Sequence, residues 1–214
     1  LAFITEAKLN VLKIPKYSAL VNIQYASFND ALKDAKDLMD WNPTSIETVD
    51  SKVLNLAMGD IVWDTVREYY PKTNLVEYTG DDEAELNAKL DKLTAHLDQI
   101  AGSELAGNGK SFAYTIARGA GEIGKIWGMR KKAVGLLGNA EGEKRPIPFV
   151  EDTAVPPENL ADFIMEFREL LDSHDLAYGM FGHVDAGVLH VRPAIDMKDP
   201  AQEGMIRTIT DGVV

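Results

Sequence analysis

Apolar and polar positions alternate along TEAKLNVLKIP, residues 5–15, and predict a strand closed by Pro15. A second strand is expected over residues 19–27, ALVNIQYAS. The spacing then changes. Phe28, Ala31, Leu32, Ala35, Leu38 and Met39 fall on one face of a helix that Trp41-Asn42-Pro43 brings to an end. SIETVD is a short strand, residues 51–70 suggest a broken helix ending at Pro71, and NLVEYTG is another strand. Residues 81–100 carry Leu86, Leu90, Leu93, Leu97 and Ile100 on one stripe, with acidic residues in the first turn where the helix dipole favours them.

Residues 101–111, AGSELAGNGKS, show no periodicity and mark a loop and a possible internal boundary. A glycine-interrupted helix is expected over 120–138, then a strand in PIPFVED. Pro157 opens a helix with Leu160, Phe163, Ile164, Phe167, Leu170 and Leu171 in its apolar positions. AYGMFGHV and VLHVRPAI flank an Asp-Ala-Gly turn as a hairpin, and Asp199-Pro200 starts a last helix. Two strand–helix halves of like spacing, each followed by further strands, predict an α+β fold. Its sheet is largely antiparallel, its helices pack on one face, and a ferredoxin-like unit is used twice.

Composition narrows the chemistry. Hydrophobic residues are 45% and charged residues 26% of 214, ordinary for a globular domain. The net charge of −12 repels phosphate backbones and argues against nucleic acid as partner. The absence of cysteine removes disulfides, thiolate nucleophiles and cysteine-ligated clusters from this chain, and fits a reducing, cytoplasmic compartment. No apolar run approaches the roughly 20 residues that cross a bilayer. The chain opens on strand-like residues without Met and stops at ITDGVV inside a helical pattern, so a piece of a longer protein is expected.

Two of the four histidines, His183 and His190, lie in the hairpin FGHVDAGVLH. A two-residue loop at Ala186-Gly187 would set them directly opposite each other, whereas a three-residue loop with Gly187 left-handed would shift the register by about one position. In the first register Phe181, His183, His190 and Arg192 share one face. Met180, Gly182, Val184, Leu189 and Val191 form the other, which should pack on the helix after Pro157. Paired neutral imidazoles suit a zinc-like divalent ion, but a catalytic site needs a third protein ligand, and Asp185 at the turn points away. Two histidines hydrogen-bonded on a polar sheet face would give the same spacing.

FGHVDAGVLHVRP keeps His183, Gly187, Leu189 and His190 of a motif with six residues between two histidines, and departs from it at Asp185, Ala186 and Val188. It resembles the C-terminal domain of the FAD-linked oxidases and dehydrogenases of D-2-hydroxy acids, among them the D-lactate, glycolate and D-2-hydroxyglutarate enzymes. KRPIPFVEDTAVPPENLADFIMEFRELL is similar to the long bacterial members fused to an iron–sulfur module, and LAFITEAKL resembles the end of the family's FAD-domain signature. The resemblance implies an α+β cap over a separate N-terminal FAD domain, with a small 2-hydroxy acid held between them. It implies a divalent metal on His183, His190 and a glutamate, with a histidine base beside that glutamate, both beyond Val214. IWGMR matches a Trp-x-x-Arg element, making Arg130 a candidate for a substrate carboxylate, and Arg192 shares the imidazole face. A 4Fe-4S cluster is implied only for the longer parent. An oligomer, and membrane association through an electron acceptor, stay open.

Other signals are set aside. RGAGEIGK contains GxGxxG but lacks the repeated parallel unit of a dinucleotide fold, so its glycines are expected to loosen a helix start. His96 should face solvent, His174 sits near a helix end, and Asp81-Asp82 are helix-start charges. The competing class is a stand-alone ferredoxin-like module that binds a small ligand or partner without redox chemistry.

Overall fold

The structure, a computed structural model, describes residues 3–11, 13–51, 73–137, 143–151 and 153–214. Strand β1 (Tyr17–Gln24) leads into helix α1 (Phe28–Leu38), whose Ser27 side chain caps it by accepting from the Asp30 N–H at 3.0 Å. Strands β2 (Ser45–Val49) and β3 (Thr73–Gly80) precede α2 (Glu83–Ala101), capped in the same way by Asp82, and β4 (Ala113–Arg118) follows. These strands lie in the order β4-β1-β3-β2, all antiparallel, which is the ferredoxin-like arrangement.

The second half repeats most of it. After helix α3 (Gly119–Leu137) come two short strands, β5 (Arg145–Pro146) and β6 (Thr153–Ala154), both paired with β8. Helix α4 (Leu160–Ser173), strands β7 (Tyr178–His183) and β8 (Val188–Ile195), and helix α5 (Pro200–Val213) complete the chain. The two units meet edge to edge through an antiparallel β2–β7 pairing, so one sheet runs across both.

Leucines of α1, α2 and α4 bury against Val21, Ile23, Ile46, Val76, Met180, Leu189 and Val191 in one cluster. The expected placement of helices on one face holds for these, but α3 crosses the other. Its buried Ile123 and Ile126 lie outside that cluster, as do Leu20, Val49, Leu75 and Phe181 of the same sheet face. This explains the strand patterns. Strand β1, covered on both sides, has a continuous buried centre from Ala19 to Ile23, whereas β8 alternates between half-buried and buried along its whole length.

Three expectations fail. Residues 5–15 form no strand where they are described, and Leu9, Val11 and Ile14 are exposed. PIPFVED is no continuous strand, since Pro146 and Pro148 supply no N–H to a ladder. His96 is half-buried, stacked on Trp41 at 4.8 Å between ring centroids. The broken helix expected over 51–70 lies outside the described residues apart from Ser51.

The loop between α2 and β4 reaches back to α1 through Lys110. Its ammonium lies 2.6 Å from Asp34 and 2.5 Å from Asp37, and buried Asp34 also accepts from the Tyr25 hydroxyl at 2.8 Å. Burial and the Asp34 charge hold that phenol well above its usual range, so it stays a donor. Replacing Lys110 by Met should therefore destabilise the domain by about 2 kcal/mol, the scale of a hydrogen bond to a buried charge. Thermal denaturation checks this, and adding Asp34→Asn should recover part of the loss.

Gly187 ends the β7–β8 turn at φ +69°, and a Cβ there would lie 1.8 Å from the Val155 carbonyl oxygen. Gly187→Ala has no rotamer that escapes a backbone clash, and should lower the melting temperature more than Lys110→Met does.

Candidate functional site

The hairpin departs from the expected register. Phe181, not His183, stands opposite His190, and a four-residue connection through a 3-10 turn at Val184–Ala186 and left-handed Gly187 joins the strands. The shift is two residues rather than one, and an even shift leaves every side chain on its face. Phe181, His183, His190 and Arg192 accordingly share the face opposite the main core. The imidazoles become diagonal neighbours, their ring centroids 5.7 Å apart and their planes at 77°. Phe181 lies beside His190 at 5.1 Å between centroids.

Two glutamates, not singled out from sequence, complete the arrangement. The register of β2 against β7 puts Glu47 directly across from His183. Glu47 is buried, with only 6% of its side chain accessible, and its Oε1 lies 2.5 Å from His183 Nδ1. Arg130 of α3 donates from Nε to Oε2 at 2.7 Å and from Nη2 to Oε1 at 3.1 Å, while its guanidinium lies over the Phe181 ring at 5.4 Å. A carboxylate this far from water needs such a partner to remain charged.

The same construction recurs at the second histidine. Glu151, from the turn between β5 and β6, has its Oε1 3.2 Å from His190 Nδ1. It accepts from Arg192 Nε at 3.0 Å and Nη2 at 2.8 Å. The site thus holds two Arg–Glu–His groups built from different elements. Arg192 pairs with an acidic neighbour, and the Arg130 side chain is about one-fifth exposed.

A third glutamate shares this face. Glu77 of β3 sits across from Ser45, whose hydroxyl donates to it at 3.3 Å. Burial raises its carboxyl above the ordinary range, the Ser45 bond lowers it, and the neighbouring Glu47 charge adds to the rise.

Metal-ligating histidines commonly direct their second ring nitrogen at a carboxylate, which fixes the tautomer and leaves the far nitrogen as ligand. His183 Nδ1 and His190 Nδ1 lie 2.5 and 3.2 Å from a glutamate oxygen, so the pair fits a divalent ion held through Nε2. Among the described residues no third His, Cys, Asp or Glu joins them in a metal-binding group. Asp185 lies in the 3-10 turn, as expected from its place in the loop. GxGxxG begins at Arg118's neighbour Gly119, where β4 passes directly into α3 at φ +77°, and β4 pairs antiparallel with β1 rather than in a parallel unit.

A D-2-hydroxyglutarate dehydrogenase of Pseudomonas putida is 58% identical over the whole chain, which covers 21% of that relative. Enzymes of the same name from Escherichia coli and Haemophilus influenzae are 53% and 50% identical over the whole chain, covering 22% and 21% of their lengths. The chain therefore spans about a fifth of these curated relatives. Among solved structures, 4-ethylphenol oxidase from Gulosibacter chungangensis with isoeugenol superposes over 93% of this chain and 43% of its own, at TM-score 0.60 and 10% identity. A substrate-bound p-cresol methylhydroxylase does so over 92% and 43%, at TM-score 0.60 and 11% identity. These two share the fold. The family profile described as FAD linked oxidases, C-terminal domain, matches residues 14–214, and the chain belongs to that family.

Proposed function

We propose that this chain is the substrate- and metal-binding cap of a longer flavin-dependent dehydrogenase that oxidises D-2-hydroxy acids, D-2-hydroxyglutarate before D-lactate or glycolate. The observation that carries the reading is the convergence of His183 and His190, each with Nδ1 turned toward a glutamate, on the open side of the sheet. The names and lengths of the relatives support the substrate and the rest of the parent.

In this reading His183 and His190 hold a zinc-like divalent ion through Nε2. When bound, that ion supplies a Lewis acid for the substrate's hydroxyl and carboxylate. FAD, carried mainly by an N-terminal domain of the parent, supplies the hydride acceptor. Arg130 and Arg192 orient substrate carboxylates, each having given two of its five N–H bonds to a glutamate and standing as a fixed positive group at the rim. Phe181, packed against both His190 and Arg130, holds them at fixed separation. The third metal ligand and the base are assigned to parent segments outside this chain. So is any 4Fe-4S cluster, because this chain has no cysteine. Among the described residues no helix is long and apolar enough to cross a membrane, and the reading places the parent in the cytoplasm.

Turnover of D-2-hydroxyglutarate, D-lactate and glycolate by the full-length parent tests the assignment. A strong chelator, His183→Ala and His190→Ala should each lower kcat/KM by at least about 100-fold, with D-2-hydroxyglutarate the best substrate. Turnover that ignores the chelator and both substitutions would refute the metal role. A clear preference for D-lactate would refute the choice of substrate.

A further inference from the structure

Glu47 and Glu151 come from unconnected parts of the chain, yet they end in the same chemical position. Glu47 lies in the middle of β2, at the seam between the two halves, and reaches His183 because those residues are register partners. Glu151 leaves a proline-broken segment and reaches His190 from beyond the sheet edge. In both cases one carboxylate oxygen lies near an imidazole Nδ1, and an arginine engages the carboxylate through Nε and Nη2. The guanidinium holds the carboxylate beside the ring as well as balancing its charge. A glutamate tied in this way is not available to swing round and ligate a metal itself.

A single buried glutamate beside a histidine could be a structural ion pair. Two, reached by different routes and each backed by its own arginine, share a geometric result: both rings present Nε2 away from the carboxylate. An imidazole whose Nδ1–H is held by a carboxylate carries its lone pair on Nε2 and is a stronger donor there.

We propose that Glu47 and Glu151 are the positioning residues of the histidine pair, each fixing the Nδ1-protonated tautomer that leaves Nε2 to bind a divalent transition-metal ion, with Arg130 and Arg192 holding the glutamates in place. The proposal rests on the metal reading above and adds which side chains make the pair competent to bind. It also gives Arg130 and Arg192 a duty independent of substrate.

Zinc affinity of the full-length parent, measured by competition with a chromophoric chelator, provides the test, with the melting temperature of the metal-free protein recorded for every variant. Glu47→Ala and Glu151→Ala should each raise the zinc dissociation constant by about 10–100-fold. Glu47→Gln and Glu151→Gln should recover part of that loss, because an amide oxygen still accepts from Nδ1–H. A zinc dissociation constant within about twofold of the unmodified protein in folded alanine variants would overturn the proposal, even with a lower melting temperature. Glu151 lies near the sheet edge, so its variants decide the matter if Glu47→Ala does not fold. His183→Ala and His190→Ala separate the two levels. If they abolish zinc binding while the glutamate variants do not change it, this inference fails alone. If they bind zinc normally, the underlying metal reading fails and this inference with it.

Discussion

The antiparallel pairing of β2 with β7 is the constraint on which the site depends. It joins two half-domains edge to edge, and in doing so places a glutamate of one opposite a histidine of the other. Neither half could supply this contact alone. The carboxylate of Glu47 is nearly sealed from solvent, which would be costly for an isolated charge, and it is sustained by Arg130 arriving from a helix on the same face. Sheet register, helix placement and charge balance are therefore one arrangement seen at three scales.

The second consequence is a division of labour between the faces. The side packed by α1, α2 and α4 is apolar and continuous across both units. The other is covered over β1 by α3 and carries the polar groups towards β7 and β8, where β8 alternates and half its residues remain partly accessible. The imidazoles thus sit on a rigid strand framework while looking outward, the combination a metal or substrate site needs.

Much of this was legible in the residues. Period-3.6 stripes marked the helices at 28–38, 83–101 and 160–173, and alternation across the hairpin put His183, His190, Phe181 and Arg192 together even though the assumed loop was too short. The error was harmless because it was an even number of residues. What could not be read was strand order. Glu47 was visible as a carboxylate between Ile46 and Thr48 in a short strand, where burial would demand a partner. Nothing local said that the partner lay 136 residues away in sequence at His183. Glu151 was hidden for another reason: PIPFVED suggested a regular strand, and only its prolines hinted that the chain would turn there. The terminal segment 5–15 shows the reverse failure, alternation that forms no strand where it is described.

The most direct test of the central claim is a crystal structure of the full-length parent soaked with zinc, with data collected at the zinc absorption edge. The account predicts an anomalous peak about 2.0–2.1 Å from Nε2 of both His183 and His190, with Nδ1 of each ring still against Glu47 and Glu151. A peak that ignores one of the rings, or binds either through Nδ1 with its glutamate displaced, would contradict it.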